Sequence, residues 1–231
     1  MDTDARASLD GAAGRQASKG ALQRTLPTAP AEFLDGALRN PALGNDEMRL
    51  LLRNYRVGAA TLAQIGRDAR WVGQGEVRRL LVQHPHVPLT IARNLLGHLS
   101  WKDLLEVSVN LRVHPFVRRQ AERTLELRVE RMSTGERISL ARRATRGVIG
   151  QLVVDDDPRV ARALLDNPRL IEKNAVAIAV SPRSRPATLA SLAQHAAWGQ
   201  RPAVRAGLLR NPRTPVAVAL KTVAALPRSS L

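Results

Sequence analysis

From Ala31 onward, apolar positions recur every three or four residues in runs of roughly 8–17, separated by breaks of one to four residues. Val117, Ala121, Leu125 and Met132 fall on one such stripe, and Leu104, Val107 and Leu111 on another. That spacing puts apolar side chains on one face of a helix, and about 13 short helices are predicted. No segment alternates apolar and polar residues long enough to predict a strand. Residues 1–30 are Ala, Gly, Ser, Thr and charges, end in Pro27 and Pro30, and carry no periodicity. They are expected to be a disordered tail, followed by a helical domain over 31–227 and a short C-terminal tail over 228–231.

The breaks share a chemistry. Proline disfavours α conformation in the residue before it and is welcome at the first helical position. Asn40-Pro41, His84-Pro85, His114-Pro115, Asn167-Pro168, Ser181-Pro182 and Asn211-Pro212 therefore read as helix boundaries. Pro88 and Pro215 follow three residues after Pro85 and Pro212, each starting the next helix, with Thr214 expected as an N-cap. Ser100 with Asp103 and Ser133 with Glu136 read as capping boxes, and Asp157-Pro158 as a cap followed by an N1 proline.

Residues 37–99 align with 164–226 without a gap, at an offset of 127. Leu38, Asn40, Pro41 and Leu43 recur as Leu165, Asn167, Pro168 and Leu170, and Ala60 to Ala63 as Ala187 to Ala190. Trp71 falls on Trp198, Val77-Arg78 on Val204-Arg205, and Leu99 on Leu226. More than a quarter of the aligned positions are identical. Self-similarity of this kind predicts small units stacked on one another, because a short helix cannot bury its apolar face alone. The expected fold is all-α: a right-handed α-solenoid of helical repeats with an internal duplication.

Composition agrees. Apolar residues make up 44% but aromatics only 3%, so the core must be Leu, Ala and Val, whereas sheets lean on aromatic and β-branched residues. The absence of cysteine excludes disulfides and thiolate metal sites. The apolar runs around Val148–Val154 and Ala175–Val180 are far short of the ~20 residues a membrane helix needs. With no signal-like apolar segment near Met1, a cytoplasmic protein is expected. Net charge is +16 with a pI of about 11.7, the electrostatic footprint of a phosphate-bearing partner. Only four of the 36 basic residues are lysines, however, and an Arg, Ala, Leu and Val bias is also what a GC-rich genome imposes.

The run Val-Arg, Leu-Leu, Asn-Pro and Thr-Pro from Val204 to Pro215, echoed from Val77 to Pro88, resembles bacterial HEAT-like and variant leucine-rich repeat α-solenoids. So do Gly135–Ala144, Asp157–Val160 and Ala163–Leu170. The resemblance covers about residues 31–226. It implies a protein-binding scaffold; one HEAT-like branch, the alkylpurine DNA glycosylases, cradles DNA with Trp and a carboxylate, which no motif here places. The iron–sulfur cluster of variant leucine-rich repeat proteins has no cysteine to match it.

Trp71 and Trp198 offer either an aromatic platform or a repeated structural plug; recurrence at a fixed offset favours the plug, and both rings are expected buried in matching environments. Arg78 and Arg205 recur likewise and are expected to bridge neighbouring helices. Trp101 has no counterpart, which makes it a candidate for partner binding. Between Arg118 and Arg131, Glu122, Glu126 and Glu130 are interleaved with the arginines. Arg142, Arg143 and Arg146 have no acid within a turn and are the expected anion contact. Asp155–Asp157 suggest a cation site but are explained by capping. His84, His86 and His98 lack a carboxylate or Cys at ligand spacing for zinc. No catalytic, nucleotide or metal motif is present. The expected function is a non-enzymatic scaffold without cofactor, metal or small-molecule substrate, binding a macromolecule, a protein first and a nucleic-acid backbone as the alternative.

Overall fold

A computed structural model describes residues 9–224, and among them every regular element is helical. The chain divides into two compact units, one ending at Thr124 and one beginning at Leu125. The first holds α1 (Gly11–Gln16), α2 (Lys19–Thr25), α3 (Ala31–Ala37), α4 (Asn45–Arg53), α5 (Ala59–Arg67), α6 (Ala69–Val72), α7 (Gly75–Gln83), α8 (Leu89–Leu96) and α9 (Trp101–Val109). Helix α10 (Pro115–Glu126) runs across the division. The second unit holds a 3-10 turn (Val129–Arg131), α11 (Thr134–Ala141), α12 (Arg146–Leu152), α13 (Pro158–Leu165), α14 (Glu172–Val180), α15 (Pro186–Gln194), α16 (Pro202–Arg210) and α17 (Val216–Ala224).

The periodicity is answered by burial. In α4, Met48, Leu51 and Leu52 point inward; in α13, Val160, Ala161, Leu164 and Leu165 do. These i, i+3, i+4 sets form the stripe a short helix needs in order to pack. In the first unit α1 packs on α3, α2 on α4, α4 on α7, α5 on α8 and α7 on α9. In the second α11 packs on α13, α13 on α15, α14 on α16 and α15 on α17. Helices therefore meet their next-but-one neighbour, apart from the short α6, which is passed over. The boundaries of α2, α4, α5 and α7 recur in α12, α14, α15 and α16, with both ends displaced by the offset of the sequence repeat.

Side chains at the turns strap successive layers. Asn40 Nδ2 donates to the carbonyls of Gly14 and Ala17, both at 2.9 Å. Asn167 Nδ2 donates to those of Ala141 and Ala144, at 2.7 and 3.2 Å, the same positions one repeat offset later. Asn54 holds the carbonyls of Leu26 and Ala29, and Asn211 those of Ala179 and Ser181. His84 Nε2 lies 3.2 Å from the Asn54 carbonyl, the place Asn211 takes on Ser181. Each Asn also accepts, on Oδ1, the N–H two residues on: Ala42, Arg56, Arg169 and Arg213. Helix ends leave carbonyls without intrahelical partners, and a buried one left bare costs about 1–3 kcal/mol. That is why buried Asn and His stand at these breaks.

Several expectations are corrected. Residues 11–25 are not disordered: Asp10 and Ser18 cap α1 and α2, and Leu22, Leu26 and Ala29 are fully buried. Helix α1 meets α3 through Gly14 and Gly36, where a Cβ would collide with backbone. A contact made by glycines leaves no apolar periodicity to read. Residues 1–8 and the tail at 228–231 lie outside the described residues. Within the helical domain expected over 31–227, the described residues fall into two compact units that meet in sequence at Thr124 and Leu125. Helix α10 stops at Glu126, so Met132 is buried after a 3-10 turn and not on the same helix. Leu111 lies past the Asn110 cap and is 83% exposed. Thr214 does not cap α17; its hydroxyl donates back to Leu208 at 2.6 Å, and the Pro215 carbonyl accepts the first bonds of α17.

Candidate functional site

Of the duplicated side chains, the arginines have matching places. Arg78 Nη1 donates to the carbonyl of Val72 at 2.7 Å, and Arg205 Nε to that of Gly199, its counterpart in the repeat, at 3.0 Å. Both guanidiniums hold the turn that precedes their own helix, and Arg205 also reaches Gln200. The tryptophans are not alike. Trp71 is 3% exposed, with the Arg70 guanidinium 4.2 Å above its ring. Trp198 is half-buried, donates from Nε1 to the Leu165 carbonyl at 3.0 Å and stacks on His195. The matched environments expected for the two rings are therefore not found: α6 carries Trp71, while Trp198 sits in a turn with no helix. Trp101 opens α9, half-buried behind the Ser100 cap, with Lys102 Nζ 5.6 Å from its ring.

Arg142, Arg143 and Arg146 are all exposed around the turn between α11 and α12, the turn that Asn167 straps. Among the described residues none of the three has an ion pair. Trp101 belongs to the first unit and these arginines to the second.

The acidic run 155–157 is engaged by arginine. Asp155 Oδ2 lies 2.7 Å from Arg137 Nε, and Asp156 Oδ2 lies 2.9 Å from Arg185 Nη2. Asp157 accepts from the Arg159 N–H at the start of α13. The Arg159 side chain bonded to both its oxygens lowers the Asp157 carboxyl to about 2, against a smaller upward push from burial. His84 is buried beside Asn54, and no cluster of three or more His, Asp or Glu that could hold a metal occurs among the described residues.

A groove of about 630 Å³ lies in the second unit on the edge formed by the turns after α12, α14 and α16. Val129, Val154 and Pro182 give it apolar surface, and Glu130, Asp155 and Asp156 acidic groups. Arg137, Arg183, Arg185 and Arg213 also line it. Arg137 and Arg185 are held by Asp155 and Asp156. Arg183 and Arg213 are exposed, and among the described residues their guanidiniums have no hydrogen bond or ion pair. Their backbones, by contrast, are pinned: Arg183 N donates to Ser181 Oγ at 3.2 Å and Arg213 N to Asn211 Oδ1 at 3.0 Å.

Sequence reasoning missed this pair. The signal was present, since Ser181-Pro182-Arg183 and Asn211-Pro212-Arg213 place an Arg two residues after a capping side chain. Reading those breaks for helix boundaries alone passed over the third residue. No family model, no curated protein and no solved structure matches the chain.

Proposed function

We propose that this protein is a non-enzymatic binding scaffold, a HEAT-like α-solenoid built by internal duplication, that presents its turns to a macromolecular partner, a protein. The observation that carries this reading is the strapping of consecutive turns. Asn40, Asn54 and His84 in the first unit and Asn167 and Asn211 in the second each engage both the preceding layer and their own turn, so the side chains that follow each of them stand on a fixed backbone. A row of rigidly based side chains is a surface for binding an extended partner, since little ordering of the scaffold is left to be done on association. The coincidence of helix boundaries and strapped carbonyls at one fixed offset supports the duplication. Next-but-one packing within each unit supports the solenoid.

The arrangement gives an enzyme little to use. The Asp155 and Asp156 carboxylates are tied to arginines, and His84 is engaged at both ring nitrogens. The second reading, a nucleic-acid-backbone binder, is favoured by one observation, the exposed trio Arg142, Arg143 and Arg146 without ion pairs.

The test is affinity capture with and without nuclease, alongside the salt dependence of binding to random duplex DNA. A protein captured equally after nuclease, together with weak DNA binding gone by physiological salt, is the expected result. A steep salt slope that flattens by about three units when Arg142, Arg143 and Arg146 are all neutralised would transfer the assignment to nucleic acid, at about 0.9 per phosphate contact.

A further inference from the structure

We propose that the groove of the second unit is a carboxylate-reading site for an acidic, extended peptide, with Arg183 and Arg213 as the two contacts. The proposal rests on the scaffold reading and adds the site and the chemistry of its ligand. Four guanidiniums meet in this groove, but two are already neutralised by Asp155 and Asp156. The remaining positive charge is concentrated on Arg183 and Arg213. Each stands on a turn fixed by its own cap, and Asn211 Nδ2 straps the two turns together by donating to the Ser181 carbonyl at 3.0 Å. A guanidinium presents a planar fork of donors that matches a carboxylate. A pair based on rigid backbone needs less ordering to bind than one on a mobile loop.

Spacing selects the form of the peptide. Packed helices lie about 8–10 Å apart, and the turns that carry Arg183 and Arg213 follow α14 and α16, which pack on each other. A polyproline-II chain repeats every three residues at 3.1 Å each, which sets side chains at i and i+3 on one face about 9 Å apart. Pro182, Val154 and Val129 supply apolar surface for the residues between. A phosphodiester chain is a poorer match. Its unbroken negative charge would meet Glu130, Asp155 and Asp156, and no aromatic ring lines the groove to stack a base.

The experiment uses the full chain and a fluorescein-labelled peptide of four Glu-Pro-Pro repeats. Its Gln-Pro-Pro counterpart and a twelve-nucleotide oligothymidylate serve as competing chemistries, all followed by anisotropy at low and physiological salt. The protein variants are R183Q/R213Q and, as a control removing the same charge elsewhere in the same unit, R169Q/R201Q. Both sets are exposed, and unchanged circular dichroism verifies folding. The expected result is that the Glu peptide binds at least tenfold more tightly than the Gln peptide. R183Q/R213Q should abolish that preference, and the control variant should hold it within twofold.

Equal binding of the Glu and Gln peptides, or an equal loss in both variants, overturns the groove. Tighter binding of oligothymidylate that R183Q/R213Q removes overturns it in favour of a nucleic-acid ligand. Failure of the peptide with nuclease-resistant protein capture intact removes the groove and leaves the scaffold reading standing; loss of that capture strikes the scaffold itself.

Discussion

The turn edge of the second unit has a counterpart in the first, one repeat offset earlier, with nearly the same framework and different side chains. Arg183 corresponds to Arg56, an identity, but Arg56 Nη1 donates to the Thr28 carbonyl at 3.1 Å. Where the second unit has Asp155, Asp156, Arg185 and Arg213, the first has Thr28, Ala29, Gly58 and His86. One strap is kept in kind, since Asn211 and His84 both reach the carbonyl of the preceding cap residue. One is not, since Asn54 holds Leu26 and Ala29 whereas its counterpart Ser181 accepts the Arg183 N–H. The strap at 84 and 211 and the arginine at 56 and 183 are thus shared between the two edges, while the other charged groups facing out of the second edge are not. Positions that recur are mostly those that hold turns, and positions that differ give the two edges different charge.

The sharpest break in the comparison is at the tryptophans, where the largest energetic effect is expected. Trp71 is 3% exposed and sealed by Arg70, whereas Trp198 is half-buried in a turn. Replacing a buried large aromatic by Ala typically costs about 3–5 kcal/mol. Trp71→Ala should incur that loss, and Trp198→Ala distinctly less, with part of its cost coming from the bare Leu165 carbonyl. Urea unfolding followed by far-UV circular dichroism measures both. Equal losses would show that the two rings play one structural part despite their different surroundings.

The sequence made the helices legible because their signals are local. Proline after Asn, His or Ser sets the breaks, and apolar spacing sets the buried face, as Met48, Leu51 and Leu52 illustrate. Helices α1 and α2 were illegible because α1 docks through Gly14 and Gly36, which leave no apolar stripe. Duplication singled out Arg78 and Arg205, whose guanidiniums hold equivalent carbonyls. The same logic could not separate Trp71 from Trp198, because the difference lies in whether residues 69–72 close into a helical turn. The groove was illegible for a different reason. Arg137, Asp155, Arg183 and Arg213 are far apart along the chain, and only packing decides which arginines are neutralised.

A second difference separates His84 from Asn211. Both sit at the end of a helix and reach the carbonyl of the preceding cap, but only His84 titrates. Burial lowers its pKa, with a smaller contribution from neighbouring His86, against the opposing bond to the Asn54 carbonyl. The partners fix the neutral tautomer: Nε2–H faces that carbonyl, and Nδ1 accepts the His86 N–H at 3.2 Å. With the folded pKa below the ordinary ~6.5, the unfolded chain takes up the proton first. Stability from this site is therefore complete above about pH 6.5 and falls as pH drops toward the folded value. His84→Ala should cost about 1–3 kcal/mol at pH 8 by baring a buried carbonyl. His84→Asn, which installs the residue used at 211, should keep most of that stability and lose the acid sensitivity. Urea midpoints between pH 5 and 8 decide it, and an unchanged pH slope in His84→Asn would place the titration elsewhere.

The smallest effect is expected where the two units differ at a helix start. Helix α13 is capped by Asp157, whereas α3, its counterpart in the first unit, begins after Pro30 with no side-chain cap. Asp157 Oδ1 accepts from the Arg159 N–H at 2.9 Å, and the Arg159 side chain closes on both oxygens. Replacing an Asp cap by Ala typically costs about 1 kcal/mol, so Asp157→Ala should lower the stability of the second unit by about that much at pH 7. The carboxyl is lowered from 3.8 to about 2 in the folded chain, first by the Arg159 side-chain bond and against the effect of burial. A lowered acid contributes stability that is present above its unfolded value and lost as pH falls through its folded one. The gap between wild type and Asp157→Ala should thus be full above about pH 4 and close as pH falls to about 2. Urea midpoints of the two proteins at pH 7, 4 and 2.5 trace it. A gap that stays constant with pH would mean that Asp157 stabilises α13 by shape alone, and that the bare start of α3 is no weaker for lacking a charge.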